Sequence, residues 1–317
     1  MTQVNRMLFG VDDSDFSRTS LAAVGKLIAI NRKFRIQIFH GSPDMRIISA
    51  KHPYLSYQPT EENLRRFNAE SKKCLNKARK ALMDAGVEEE NISDVLEENC
   101  TDPAGAMLDL AEAERFDVVG LARFGADTIG RHVIGSISYR VASSSEKVPV
   151  WIVDHRAKSR HFLVCLVGAP IGQRIIDHVA IHFSHLHDSR FTLFHVIPPF
   201  TLQADRIAQY MSKGTSTEEM ERLTENMNLR LKRAEETLET GKRKLIDAGI
   251  PEQNVDVKKQ PQDQGIARDI LTELETGGNG ILVAGRKGSG DIREFGLGSK
   301  AYKLLCAARP FMLCLVN

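Results

Sequence analysis

Short apolar runs alternate along the chain with longer stretches in which apolar residues recur at helical spacing. This alternation is typical of a parallel sheet whose strands are joined by helices packed on its faces. In the first half, strands are predicted at residues 6–11, 35–40, 93–98, 116–121 and 148–153. In the second half, they are predicted at residues 162–167, 190–196, 254–258, 280–284 and 311–316. Each half is therefore expected to be an α/β domain with an open five-stranded parallel sheet and helices on both faces.

The two halves also repeat each other in sequence. Each has a long charged helix after its second strand, predicted at residues 60–85 and 217–248, and each helix ends in Asp-Ala-Gly. Gly86 and Gly249 stand where a left-handed residue would end these helices. The same offset of 163 residues relates the glycines and serines of two later segments. Such a repeat indicates two copies of one domain, predicted at residues 1–157 and 158–317.

Composition narrows the classes of partner. The 317 residues carry a formal net charge of +2, so no strong field favours a nucleic acid or an anionic membrane surface. The N-terminal residues lack the pattern of a signal peptide, and no run approaches the roughly 20 apolar residues of a membrane span. The five cysteines show no CxxC spacing, which favours reduced thiols over a disulfide framework or a zinc ribbon. We expect a cytoplasmic protein.

A glycine-rich connection follows the fourth strand of the second half, in the segment ILVAGRKGSGDIREFGLGSK. It contains Gly285, Gly288 after two residues, and Gly298 with Ser299 after nine more. A glycine-bearing turn at the carboxyl end of a parallel strand, followed by the positive end of a helix, favours phosphate binding. The first half has ARFGADTIGRHVIGS in register, and its matching residues are Ala122, Gly125, Gly135 and Ser136.

This spacing resembles that of the ATP-binding members of the universal stress protein family, which carry G-x2-G-x9-G-[S/T] after the fourth strand. The resemblance covers nearly the whole chain twice. It implies an adenine nucleotide alpha-hydrolase-like fold in each half and the packing of the halves as a pseudo-dimer. Asp12, in GVDDSDFS, matches the family aspartate that lies near the adenosine moiety, whereas the second half has Val167 there. The positions that match backbone contacts to adenine are Gly41 and Val196.

The resemblance implies a stress-response protein that binds ATP, with ADP and AMP as alternatives and Mg²⁺ accompanying the nucleotide. Hydrolysis is expected to be slow or absent, because no motif positions a general base. Nucleotide occupancy would change the conformation or the protein partner, which the sequence does not name, and the pseudo-dimer could pair further as a homodimer. The alternative is a nucleotide-free scaffold or small-molecule carrier, in which the irregular stretches at residues 42–59 and 198–215 cover a pocket.

The sequence is also compatible with other roles for these residues. The glycines could serve packing alone, and Asp12 could cap the first helix. The complete loop favours the second half as the tighter triphosphate site, because Ala122 would be strained if its position required a positive φ.

Three histidines in DHVAIHFSHLHD, namely His178, His182 and His185, fall on one helical face. They border an apolar stripe and have no evident carboxylate partner. We therefore expect an exposed polar helix face rather than a metal site.

Overall fold

The computed structural model describes residues 4–29, 34–43, 60–124, 134–157, 159–167, 170–197, 217–287, 297–307 and 310–317. The chain divides into two compact units. The first comprises Met1–Arg156 with Ala308–Met312, and the second comprises Ala157–Ala307 with Leu313–Asn317. Among the described residues, no helix is long and apolar enough to cross a membrane.

The first unit contains an open sheet with the strand order β3-β2-β1-β4-β5, and all of its neighbouring strands pair in parallel. Its strands are β1 (Asn5–Gly10), β2 (Phe34–Pro43), β3 (Ile92–Cys100), β4 (Val118–Ala122) and β5 (Val150–Val153). Its helices are α1 (Asp15–Ile28), α2 (Glu61–Asp84), α3 (Pro103–Ala113) and α4 (Ser136–Ser144). The five strands and the long charged helix of the sequence prediction are confirmed.

The core of this unit contains strands that are apolar without alternation. Every residue of β4 and β5 is buried, as expected for strands covered on both faces. Helix α1 packs against α2, and α3 packs against α4. The chain moves outward from β1 to β3 and then returns past β1 to β4. Because crossovers between parallel strands are right-handed, the two helix pairs are expected on opposite faces of the sheet.

The second unit repeats this architecture with the strand order β8-β7-β6-β9-β10. Its strands are β6 (Phe162–Cys165), β7 (Phe191–Ile197), β8 (Val255–Pro261), β9 (Ile281–Gly285) and β10 (Met312–Val316). Its helices are α5 (Ile171–Phe183), α6 (Thr217–Asp247), α7 (Ile266–Thr276) and α8 (Ser299–Leu305). The repeat inferred from the sequence is thus present in the strand order. The packing of the halves as a pseudo-dimer stays a prediction.

Glycines end both long helices as expected. Gly86 and Gly249 have φ values of +97° and +103°, a conformation that residues with a Cβ rarely adopt. At the other end of α2, the Thr60 side chain caps the helix by accepting a hydrogen bond from the amide of Asn63. These local signals fix where α2 begins and ends.

Candidate functional site

The carboxyl ends of β1, β2 and β4 meet at one edge of the first unit. Gly10, the last residue of β1, pairs with Phe39 of β2 and with Leu121 of β4. The order in which strands are added reverses at β1, with β2 and β3 on one side of it and β4 and β5 on the other. Such switch points are where open α/β sheets bind ligands. This edge brings together the segments that carry Asp12 and Ala122.

Asp12 forms the turn that leads into α1, but it is not the helix cap. Its Oδ1 accepts hydrogen bonds from the amide of Ser14, at 3.1 Å, and from the Ser14 hydroxyl. Ser14 is the capping residue, because its hydroxyl oxygen accepts from the amide of Ser17 at 3.1 Å. The capping interpretation of Asp12 is therefore wrong, and this half-buried carboxylate instead organises the turn at the end of β1.

A histidine joins this turn to β2, which the sequence analysis did not foresee. Nδ1 of His40 donates to the carbonyl of Val11 across 2.9 Å, immediately before Asp12. The amide of Val11 in turn donates to the carbonyl of Phe39 across 2.8 Å. Gly41 follows His40 on the same strand, and a Cβ built there would lie 3.1 Å from Sγ of Cys100. The end of β2 is therefore held closely on both sides.

The connection from β4 to α4 closes at Gly135. This residue is the N-cap of α4, and its own amide donates to the carbonyl of Arg123 across 2.9 Å. Gly135 has no side chain to satisfy the amides of the first helical turn, which lack acceptors within the helix. The donors available to an anion are therefore the amides that follow Gly135, beside the exposed Ser136, rather than that of the glycine itself.

The backbone at the entrance of this connection is not strained. Neither Ala122 nor Gly285 has a positive φ. The cost that the sequence analysis attached to Ala122, on the condition of a positive φ, is therefore not incurred. Gly285 is instead needed for space, since a Cβ there would lie 2.9 Å from Cγ1 of Ile171. Backbone strain at position 122 therefore gives the second half no advantage over the first.

Buried charges lie beside the connection. Arg123 directly follows β4, and its side chain is 3% exposed. Its Nε lies 3.8 Å from Oδ2 of Asp154. The Arg156 guanidinium donates to both oxygens of the same carboxylate, from Nε to Oδ1 at 2.8 Å and from Nη2 to Oδ2 at 2.6 Å. Burial alone would raise the pKa of Asp154, but the hydrogen bonds from Arg156 and the nearby positive charges outweigh it and lower this pKa. Asp154 is therefore a buried anion that balances two arginines.

Comparison with known proteins decides the family. Residues 3–154 match the model of the universal stress protein family. The first half of the chain belongs to this family. None of the curated proteins matches the chain.

Solved structures are similar in fold over the whole chain. A universal stress protein from Archaeoglobus fulgidus is 15% identical, with a TM-score of 0.66 and coverage of 99% of both chains. A putative universal stress protein from Pseudomonas aeruginosa is 10% identical, with a TM-score of 0.56, and covers 99% of this chain and 93% of its own. Another universal stress protein, solved in complex with cAMP, is 21% identical and covers 49% of this chain and 99% of its own, with a TM-score of 0.35. At these identities the first two show a fold that is shared over the whole chain.

The second half keeps the geometry of the first but not its acid. Nδ1 of His195 donates to the carbonyl of Leu166 across 2.8 Å, as His40 does to Val11. In the register of this contact, Val167 follows Leu166 as Asp12 follows Val11, and Val196 follows His195 as Gly41 follows His40. The second half therefore has an apolar residue where the first has a carboxylate.

The glycine connection is also repeated in the second half. The amide of Gly298, the N-cap of α8, donates to the carbonyl of Arg286 across 3.0 Å. Ser299 is exposed at the start of this helix, and Arg286 is buried as Arg123 is. Gly125 and Gly288, the remaining members of the two predicted loops, lie outside the described residues.

The histidine interpretation needs correction. His178 and His182 are 5% and 4% exposed, and their ring centroids lie 4.4 Å apart, so they do not form an exposed polar face. Burial, followed by the charge of His185, lowers the pKa of His182 to about 4. Among the described residues, no group of three or more His, Cys, Asp or Glu side chains could hold a metal ion. This pair is part of the packing of α5.

Proposed function

We propose that the first universal stress protein domain binds an adenine nucleotide at the carboxyl ends of β1, β2 and β4. ATP is the proposed ligand, with ADP and AMP as alternatives and Mg²⁺ accompanying the phosphates. The observation that carries the proposal is the placement of the Asp12 turn and of the open start of α4 on adjacent strands. An acceptor for hydroxyl groups and a set of amide donors thus border the same edge.

Each part of the nucleotide has a suitable partner in this arrangement. The phosphates carry the charge, so they suit the amides at the start of α4, the positive end of its dipole and the exposed Ser136. Asp12 can accept hydrogen bonds from the adenosine end, because its turn already holds the carboxylate in place. The backbone at Gly41 would border the base. Gly125 would complete the phosphate loop.

The second domain would bind the nucleotide with lower affinity. Gly285, Gly288, Gly298 and Ser299 supply the same type of loop there, but Val167 offers nothing to a ribose hydroxyl. Since Ala122 causes no backbone strain, the complete glycine set gives the second half no advantage through φ. We therefore propose the first half as the principal site.

Binding rather than turnover is the proposed role. No described side chain at this edge stands out as a general base for attack on a phosphate, so hydrolysis would be slow or absent. A nucleotide that contacts the segments after both β1 and β4 would change their conformation when it binds. The fraction of protein in the bound conformation would then depend on the nucleotide concentration. This role suits a stress-response protein that changes its protein partner with occupancy.

The direct test is the identity of the copurifying ligand. Purified protein is denatured, and the supernatant is analysed by absorbance and mass spectrometry before and after incubation of the folded protein with ATP. We expect adenine nucleotide to be released in proportion to the protein, with little conversion of ATP to ADP during incubation. Protein that carries no nucleotide and takes up none would contradict the proposal and favour the scaffold or carrier alternative.

A further inference from the structure

A groove of about 440 Å³ runs between α1 and α2 on the surface of the first domain. Its middle is formed by Ala22 on α1 and Ala81 on α2. The two helices approach closely at one end, where a Cβ built on Gly25 would lie 2.9 Å from Cβ of Ala85. Small residues on both helices therefore leave an elongated space between longer side chains.

The second domain fills the same place with an ion pair. The buried positions of α1 and α5 coincide at an offset of 155 residues, and those of α2 and α6 coincide at 163. Asp177 and Lys244 therefore stand where the first domain has Ala22 and Ala81, and they form a salt bridge. In the first domain two alanines replace this pair and leave the space between the helices open.

Basic side chains border the groove. Arg18 and Lys77 lie at one end, where both pair with Asp13, and Arg18 also pairs with Asp15. Lys26 and Lys80 lie further along, and neither has an ion-pair partner within the part of the chain that the structure describes.

The charges of α2 extend this border. Lys73, Lys77 and Lys80 are exposed at helical spacing on one side of α2. Of the described residues that line the groove, Asp84 is the one with an acidic side chain. The corresponding positions of α6 are Glu236, Thr240 and Arg243, so the second domain has no such row.

We infer that this groove binds an acidic segment of a partner protein. The lysines are spread over about two helical turns, roughly 11 Å, which suits several separate carboxylates better than one compact anion. The alanine floor would accept small apolar side chains between those carboxylates. The net charge of the chain, only +2, does not favour a long polyanion such as a nucleic acid.

The inference can be tested with a fluorescein-labelled peptide of about twelve residues that repeats Glu-Leu-Glu-Ala, measured by fluorescence anisotropy with the full chain. A peptide with Gln in place of Glu is the control for charge. The key variant is Ala22→Asp with Ala81→Lys, which installs the ion pair of the second domain and leaves the net charge unchanged. A second variant, Lys26→Gln with Lys80→Gln, removes the lysines that have no described partner.

We expect the Glu peptide to bind, the Gln peptide to bind at least tenfold more weakly, and both variants to weaken binding about tenfold. Affinity should fall as salt is raised. Lys232→Gln with Arg243→Gln removes the same charge from exposed positions of α6 and should change the affinity less than twofold. ATP titration of each variant shows whether the nucleotide site is intact, so a failure here is separable from a failure of the proposed function.

Two results would overturn the inference. One is a Glu peptide that does not bind, or that binds the Ala22→Asp, Ala81→Lys variant as tightly as the original chain. The other is tighter, variant-sensitive binding of single-stranded DNA or of vesicles containing phosphatidylserine, which would assign the groove to a different class of partner.

Discussion

Nδ1 of His40 lies 2.9 Å from the carbonyl oxygen of Val11, the residue before Asp12. A carbonyl can only accept, so the proton is on Nδ1. His195 makes the same contact with Leu166 in the second domain, where valine follows instead of aspartate. One structural link thus occurs twice, but it positions a carboxylate only in the first half.

Replacing His40 with Ala should therefore weaken ATP binding about fivefold, the equivalent of one hydrogen bond of about 1 kcal/mol. His195→Ala should lower stability by a similar amount and leave ATP affinity unchanged. Calorimetric titration and thermal unfolding of both variants give the two readouts. His40→Asn, whose amide nitrogen can replace Nδ1 as donor, should restore part of the affinity. Equal effects of His40→Ala and His195→Ala on affinity would show that the contact is structural only.

The buried charges of the first domain lead to a prediction about stability. Asp154→Asn should lower the free energy of unfolding by about 3 kcal/mol, because Arg123 stays buried after its anionic partner is removed. Asp94→Asn removes a carboxylate whose ion pair with Arg79 is partly exposed, and it should cost less than about 1 kcal/mol. Urea unfolding measures both. Similar losses for the two variants would show that burial does not determine the contribution of Asp154.

The histidine pair of α5 predicts a loss of stability in acid. The pKa of His182 is lowered to about 4 in the folded state, chiefly by burial, against 6.5 for an ordinary histidine. The unfolded chain therefore binds more protons between pH 6.5 and pH 4, and stability falls as pH is lowered through this window. At pH 5 this histidine should cost about 2 kcal/mol relative to pH 7.5.

Urea unfolding at pH 7.5 and pH 5 tests this dependence with two variants. His182→Asn should reduce the difference between the two pH values by about that amount. His187→Asn, at an exposed position, should leave the difference as it is in the original chain. A pH dependence that survives His182→Asn in full would show that other groups cause it.

The sequence predicted the fold well because its signals are local and repeated. Each of the ten strands predicted from the sequence has a counterpart among the strands of the structure. Gly86 and Gly249 end the long helices where expected. The site was predicted less completely, since its details depend on contacts between strands that are distant in sequence. His40 and His195 recur at matching positions, so the repeat could have singled them out. The engagement of the Gly135 amide by Arg123 could not be read from glycine spacing.

Local environment was also difficult to predict from the sequence, both for the burial of polar residues and for the backbone conformation. The histidines of α5 were expected to be exposed, because residue type alone does not tell which side of an apolar stripe packs inward. Ala122 was expected to be strained on the condition of a positive φ, which no sequence pattern could decide. In both cases the outcome depends on tertiary packing.

Calorimetric titration of ATP into the full chain and its Asp12→Ala variant tests the central claim most directly. The control is Asp15→Asn, which changes an acidic side chain that is 87% exposed at the start of α1, just after the Asp12 turn. We predict that Asp12→Ala weakens binding at least tenfold, that Gly135→Val does the same by obstructing the start of α4, and that Asp15→Asn stays within twofold. Binding that survives Asp12→Ala and Gly135→Val but is abolished by Gly298→Val would contradict the account and place the nucleotide in the second domain.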